Sequence, residues 1–291
     1  MHADFRIVNV FAETPLAGNA LAVFDDARGI DVATMQALAL QFNLSETTFI
    51  LPAERASARV RIFTPAFEMP FAGHPTLGTA HVVRALHATG DRVTLEMRAG
   101  IIPVEADGDV WTLQANAPSH RRPEATRGQL AAMLGLQADD LLATAEALWV
   151  DTGSEQLVIP LASFDAVGRA RPSPAALAEH GSNGRRAMAY VFAREGSRVV
   201  ARFFFPKHGA VVEDPGTGSA AANLGGWLLA TGAALPLRLT IEQGDAVGRP
   251  CRLGLTVGAD RSIRVSGRVI EIARGRLTLP EGAQPSRPTS R

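Results

Sequence analysis

The alternation of apolar and polar positions divides the chain into many short strands interrupted by a few helices. Residues 5–11 and 20–24 predict two strands joined through Pro15, Gly18 and Asn19, a hairpin with a long loop. Asp31 predicts a helix cap, because Met35, Leu38, Ala39 and Phe42 then fall at i, i+3, i+4 and i+7 on one face, with Asn43 at the end. Residues 45–51 predict a strand stopped by Pro52, with Glu46 at its mouth, and 58–64 predict another. Residues 92–97, 101–106 and 110–115 alternate like an antiparallel meander, the last pair joined at Asp107-Gly108.

Two segments break the alternation. Residues 77–88 are mostly small or apolar, and in 219–230 only Asn223 interrupts Ala, Gly, Leu and Trp after the opening serine. A helix that is apolar all round is a buried one, so two central helices are predicted, each wrapped by sheet. Each follows a strand and a corner rich in glycine and proline, and a helix start of this kind offers unpaired amides to an anion.

The two segments echo one another. Shifting the second back by 141 positions sets Arg202 on Arg61, Phe204 on Phe63, Pro206 on Pro65, Thr217 on Thr76 and Ala221 on Ala80, and it sets Asp214 against Gly73. An internal repeat of this size predicts two similar domains, with two helix starts facing one cleft.

In the second half, residues 119–124 are polar and carry a proline, a crossover linker. Thr126 with Gln129 predicts a capping box for a helix to Leu134, and Ser173-Pro174 caps a second helix ending at Gly181. Strands are predicted at 148–153, 156–161, 187–192, 198–205, 237–242, 251–257, 263–266, 269–272 and 276–279. The expected division is 1–118, completed by 273–282, then 119–272, with a disordered tail at 283–291.

Composition narrows the class. The 291 residues are 46% hydrophobic and 20% charged, with 29 basic and 29 acidic side chains, so the charge balance argues against a nucleic-acid or membrane-surface partner. No apolar run approaches a membrane span, and the start reads as a strand rather than a signal peptide, so a cytoplasmic protein is expected. The single Cys251 cannot form an internal disulfide. Gly216-Thr217-Gly218 lacks the third glycine of a dinucleotide loop, and no Cys/His group has zinc spacing, so no cofactor and no metal are expected.

Five pieces in order, Gly18-Asn19, Asn43-Leu44-Ser45-Glu46-Thr47, Phe63-Thr64-Pro65, Gly73-His74-Pro75-Thr76 and Asp214-Pro215-Gly216-Thr217-Gly218-Ser219-Ala220, together resemble the PhzF-like (phenazine biosynthesis-like) family. The resemblance implies the diaminopimelate epimerase-like fold: α+β, two similar domains, each a curved, mostly antiparallel mixed sheet round a central helix, with the site in the cleft between them. In the epimerase relatives two cysteines at the helix starts act as acid and base. Here those positions look like Gly73 and Asp214, which excludes a two-thiol mechanism, and Cys251 matches neither.

What the resemblance implies instead is an isomerase in which Glu46 takes a proton from one carbon of a small carboxylic acid and returns it to another, assisted by His74 and Asp214. Glu46 suits that work if the cleft desolvates it, since burial raises a carboxyl pKa toward neutrality; a solvated strand-end glutamate is the plain alternative. His74, in a loop bounded by glycine, is placed to bind a carboxylate or relay a proton. Asp214 acts as an acid, orients His74, or merely caps a turn. Gly73, Thr76, Thr217, Gly218 and Ser219 are expected to bind the substrate carboxylate, mainly through backbone amides, and Asn19 either binds substrate or serves the turn. His208, before the second corner, is a weaker candidate for lining the cleft. Two other classes remain open at this point: a protein that binds a small carboxylate without turnover, and an epimerase with Asp214 as the second base. A homodimer is expected from exposed strand edges.

Overall fold

The structure, a computed structural model, describes residues 2–207 and 209–279, so the expectations for His208 and for 283–291 lie outside it. The described residues form two compact units, one of residues 2–113 with 268–279, the other of residues 114–207 with 209–267.

The first unit runs β1 (His2–Val10), β2 (Asn19–Phe24), α1 (Val32–Phe42), β3 (Glu46–Leu51), β4 (Ala58–Phe63), β5 (Glu68–Met69), α2 (Gly73–His87), β6 (Arg92–Met97), β7 (Gly100–Asp107) and β8 (Val110–Gln114). Strands β2 and β3 are parallel, as are β4 and β6, while β1 with β2, β3 with β4, β4 with β5, β6 with β7 and β7 with β8 pair antiparallel. Helix α1 starts where Asp31 accepts the Thr34 amide at 2.7 Å and stops at Asn43 in the left-handed region, as its pattern predicts. It covers one sheet face through a phenylalanine cluster in which Phe24 stacks on Phe49 at 4.8 Å and Phe63 meets Phe49 edge-on at 5.5 Å.

The second unit runs β9 (Ser119–Arg121), α3 (Arg127–Met133), β10 (Leu148–Asp151), β11 (Gln156–Pro160), α4 (Phe164–Arg169), α5 (Pro174–His180), β12 (Ala189–Glu195), β13 (Arg198–Lys207), β14 (Ala210–Asp214), α6 (Gly218–Ala230), β15 (Leu237–Gln243), β16 (Cys251–Val257) and the start of β17 (Ile263–Thr278). Its pairing repeats the scheme of the first: β11 and β12 are parallel, β13 and β15 are parallel, and β12, β13 and β14 are antiparallel neighbours. Helices α3, α4 and α5 cover one face with an apolar cluster, and α6 packs on β10, β11 and β16. The architecture is a sheet-dominated α+β fold.

Several sequence expectations need correction. Helix α2 begins at Gly73, four residues before the expected start, because Pro75 falls in the first turn, where a missing N–H costs nothing. His74 is therefore a helix residue, not a loop residue. The 119–124 linker contains strand β9, which pairs with β10. The last three expected strands are one strand, β17, which pairs with β16 as far as Ser266 and with β1 from Val269 onward, Gly267 falling where the partner changes. Helix α4, capped by Ser163, and the hairpin strands β5 and β14 had too few residues to show a period.

The repeat register also changes. Phe63 pairs with Glu68 and Ile62 with Met69, whereas Phe204 pairs with Glu213 and Phe203 with Asp214. The second hairpin thus carries four more residues, and the 141-position shift becomes 145 beyond it. Pro70 corresponds to Pro215, Gly73 to Gly218 and His74 to Ser219. The equivalences of Gly73 with Asp214 and of Thr76 with Thr217 do not hold.

Candidate active site

Strand alternation places the first group of functional side chains. Along β3, Phe49 points to the α1 cluster, so Thr48 and Glu46 point the opposite way, toward α2. Thr48 Oγ1 meets Thr79 Oγ1 at 2.8 Å, which ties α2 to this strand. Two residues back along the strand, Glu46 Oε2 approaches His74 Nε2 at 3.5 Å, with side chains only 16% and 6% exposed.

Burial pushes the His74 imidazole down to about 3, against the smaller opposing effect of a hydrogen bond to the Ala20 backbone. A bond that favours the protonated ring is one in which the ring N–H donates to the Ala20 carbonyl. Since Nε2 has no hydrogen-bond partner among the described residues, the donor is Nδ1. The neutral ring therefore presents the bare lone pair of Nε2 to Glu46. A carboxyl proton on Glu46 has an acceptor there, and a carboxylate on Glu46 has none of the ring's donors.

The α2 start adds the amides of Gly73 and His74, which a helix leaves unpaired. Thr76 does not add to them: its amide and hydroxyl both donate to the Ala72 carbonyl, at 3.2 Å and 2.7 Å, and it is fully buried. Asn19 is buried at the start of β2, opposite Val10. The positive φ in that turn belongs to Gly18 at +80°, where a Cβ would lie 2.6 Å from the Val10 carbonyl oxygen, so Asn19 is not there to tolerate the turn.

In the second unit, Asp214 ends β14 and Thr217 caps α6. The Thr217 hydroxyl donates to Asp214 Oδ2 at 2.5 Å. Gln243, buried on β15, accepts the Thr217 amide at 3.4 Å and donates to the Asp214 carbonyl at 2.9 Å and to Thr217 Oγ1 at 3.0 Å. Thr217 is thereby committed to the protein. Gly218 and Ser219 occupy the first helical turn, their amides aimed out of the helix start. The Cys251 thiol is buried, and desolvation together with the nearby Asp214 charge pushes its pKa up, so it is not a nucleophile.

Each hairpin that leads into a helix start is held by an Arg–Glu pair. Arg61 grips Glu68 with two bonds of 2.8 Å, and Arg202 grips Glu213 at 3.0 Å and 2.6 Å. The units differ in where they carry acid. Thr47 pairs with Phe63 as Ala189 pairs with Phe204, so Glu46 corresponds to Met188, while Asp214 corresponds to Met69. Each repeat has one carboxylate where the other has a methionine.

Sequence reading missed Gln156 and Gln243, which lie at strand ends with nothing to distinguish them. Asn223 did leave a signal, as the lone polar residue inside an apolar helix. Among the described residues, no group of three His, Cys, Asp or Glu side chains could hold a metal ion. No helix among them is long and apolar enough to cross a membrane.

Comparison with known proteins agrees with this architecture. The family model described as phenazine biosynthesis-like protein matches residues 8–275. An isomerase of Pasteurella multocida, itself described as uncharacterized, is 39% identical over 96% of this chain and 95% of its own. Trans-2,3-dihydro-3-hydroxyanthranilate isomerase of Pseudomonas aeruginosa is 36% identical over 94% of this chain and 99% of its own. The crystal structure of a PhzF-family protein from Bacillus anthracis superposes with a TM-score of 0.86, covering 96% of this chain and all of that one, at 23% identity. The chain is an isomerase by class. It belongs to the phenazine biosynthesis-like, or PhzC-PhzF, family.

Proposed function

We propose that this isomerase moves a proton between two carbons of a small carboxylic acid without a cofactor, and that Glu46 is the group that carries it. The observation behind the reading is the pairing of Glu46 with a neutral imidazole whose other nitrogen is tied to the Ala20 carbonyl. With the ring neutral, the proton is carried by Glu46, whose carboxyl faces the bare Nε2 at 3.5 Å and can accept the proton from a C–H bond and return it elsewhere.

Electrons and atoms balance within the substrate. The C–H bond breaks as Glu46 takes the proton, the freed electron pair shifts into the adjacent conjugated system, and a new C–H bond forms at the far carbon. No oxidant or reductant enters, which supports cofactor independence. The charge that builds up on the substrate carboxylate during the shift needs fixed donors. The amides of Gly73 in the first unit and of Gly218 in the second, with the amide and hydroxyl of Ser219, are donors of the right kind. Asp214, held by Thr217, is assigned to receive or relay a proton at the far carbon.

The first substrate to test is trans-2,3-dihydro-3-hydroxyanthranilate, the acid that names several relatives. NMR should show its double bonds rearranged by the wild type and not by Glu46→Gln. Turnover of this or a related acid by Glu46→Gln at the wild-type rate would defeat the assignment.

A further inference from the structure

One buried hydrogen-bond chain in the second unit has a direction that its backbone partners dictate. Asn223 Oδ1 accepts from the Thr152 amide at 3.0 Å and from the Thr152 hydroxyl at 2.7 Å. A backbone amide can only donate, so the atom facing it is the oxygen. Asn223 Nδ2 donates to the Ser154 carbonyl at 2.8 Å, and a carbonyl can only accept, so both ends of this amide are assigned. The same Nδ2 reaches Gln156 at 2.8 Å, which makes the facing atom Oε1. Gln156 Nε2 is then the atom that donates to Ser219 Oγ at 2.9 Å.

The consequence falls on Ser219. Its oxygen accepts from Gln156, so its hydrogen is turned away from the glutamine, and no described group accepts it. Asn223 is fully buried and Gln156 is 3% exposed, so water does not compete for either amide, whereas Ser219 is half-buried at the start of α6. Of these five bonds, those to Thr152 and Ser154 serve the protein's own groups, whereas the last, from Gln156 to Ser219, satisfies no backbone group and falls on the hydroxyl at the helix start.

We propose that Asn223 and Gln156 are positioning residues that fix the Ser219 hydroxyl as a hydrogen-bond donor to the substrate carboxylate. This rests on the reading of the α6 start as the carboxylate-binding end of the site. The relay keeps the hydroxyl in its donating orientation before substrate arrives, so that no reorientation is needed as charge develops.

Binding of anthranilate, an aromatic carboxylate with no proton to move, tests this by titration calorimetry independently of turnover. Gln156→Glu places an acceptor against Ser219 and draws its hydrogen inward, so affinity should fall by about tenfold or more. The neutral Gln156→Met frees the hydroxyl among three staggered positions and should cost about threefold. In a Ser219→Ala background both losses should shrink by about threefold or more, because the glutamine then has nothing to orient. Acidification should restore affinity to Gln156→Glu relative to wild type, since the protonated acid can donate to Ser219 while accepting from Asn223.

Equal losses with and without Ser219, or wild-type affinity unchanged by Ser219→Ala, would overturn the inference, as would failure of the wild type to bind anthranilate. Coupling without any solvent-hydrogen exchange would keep the relay and sink the isomerase reading. Exchange without coupling would do the reverse.

Discussion

His74 Nε2 faces Glu46 Oε2 at 3.5 Å, and the imidazole that makes this approach is buried and neutral. The pair joins the mouth of β3 to the first turn of α2, so strand alternation and helix entry meet at one proton-holding contact. The chemistry assigned to the chain follows from that contact, and the burial of the ring contributes to stability.

The stability effect has a definite sign. The folded imidazole titrates at about 3 and the unfolded one at its ordinary 6.5. Between those values the unfolded chain binds more protons, so His74 contributes stability that is full above about pH 6.5 and is lost as pH falls toward 3. The slope from this one group is at most about 1.4 kcal/mol per pH unit. Denaturant titrations across this range should show a shallower fall for His74→Asn than for wild type; parallel curves would mean that the ring is already protonated in the folded protein. The same variant, which keeps a donor for Ala20, should lose roughly 100-fold or more in turnover.

The two hairpin clamps should differ in worth. Arg202 and Glu213 have side chains 9% and 6% exposed, against 24% and 15% for Arg61 and Glu68. Arg202 also donates to the carbonyls of Val167, Gly168 and Ala170. Arg202→Met strands a buried carboxylate and takes one of two donors from each of these carbonyls, and should cost about 3–5 kcal/mol, with Arg61→Met costing clearly less. Urea unfolding of both variants checks the order, and equal costs would refute it.

Gly78 reverses an ordinary rule. Glycine to alanine inside a helix normally stabilises by about 1 kcal/mol. A Cβ at 78 would meet Leu21 Cδ2 at 2.6 Å and Val10 Cγ2 at 2.9 Å, where α2 packs on β1 and β2. Gly78→Ala should therefore destabilise by about 1–3 kcal/mol, seen as a lower melting temperature. A raised one would show that the helix can withdraw without penalty.

How much of this was legible beforehand depended on the range of the interaction. Helix α1 was readable down to both caps, because Asp31, the apolar face and Asn43 are local signals. Helices α2 and α6 were readable from their uniform small and apolar composition, and the candidates Glu46, His74 and Ser219 were singled out by motifs that resemble a family. The start of α2 was misplaced because Pro75 looks like a breaker and is one only beyond the first turn. The repeat register slipped because hairpin length is set by pairing between β13 and β14, which no residue in the extra four announces. Gln156 and Gln243 stayed hidden because their roles depend on partners 63 and 26 residues away.

The central claim is that Glu46 carries the moving proton. The direct measurement is mass and NMR analysis of trans-2,3-dihydro-3-hydroxyanthranilate, or another acid that the wild type turns over, after incubation in deuterated water. Wild type should return product with solvent deuterium at the carbon that gains the proton, and Glu46→Gln should show neither product nor exchange while still binding anthranilate. Deuterium entering at equal rates with both proteins would contradict the account.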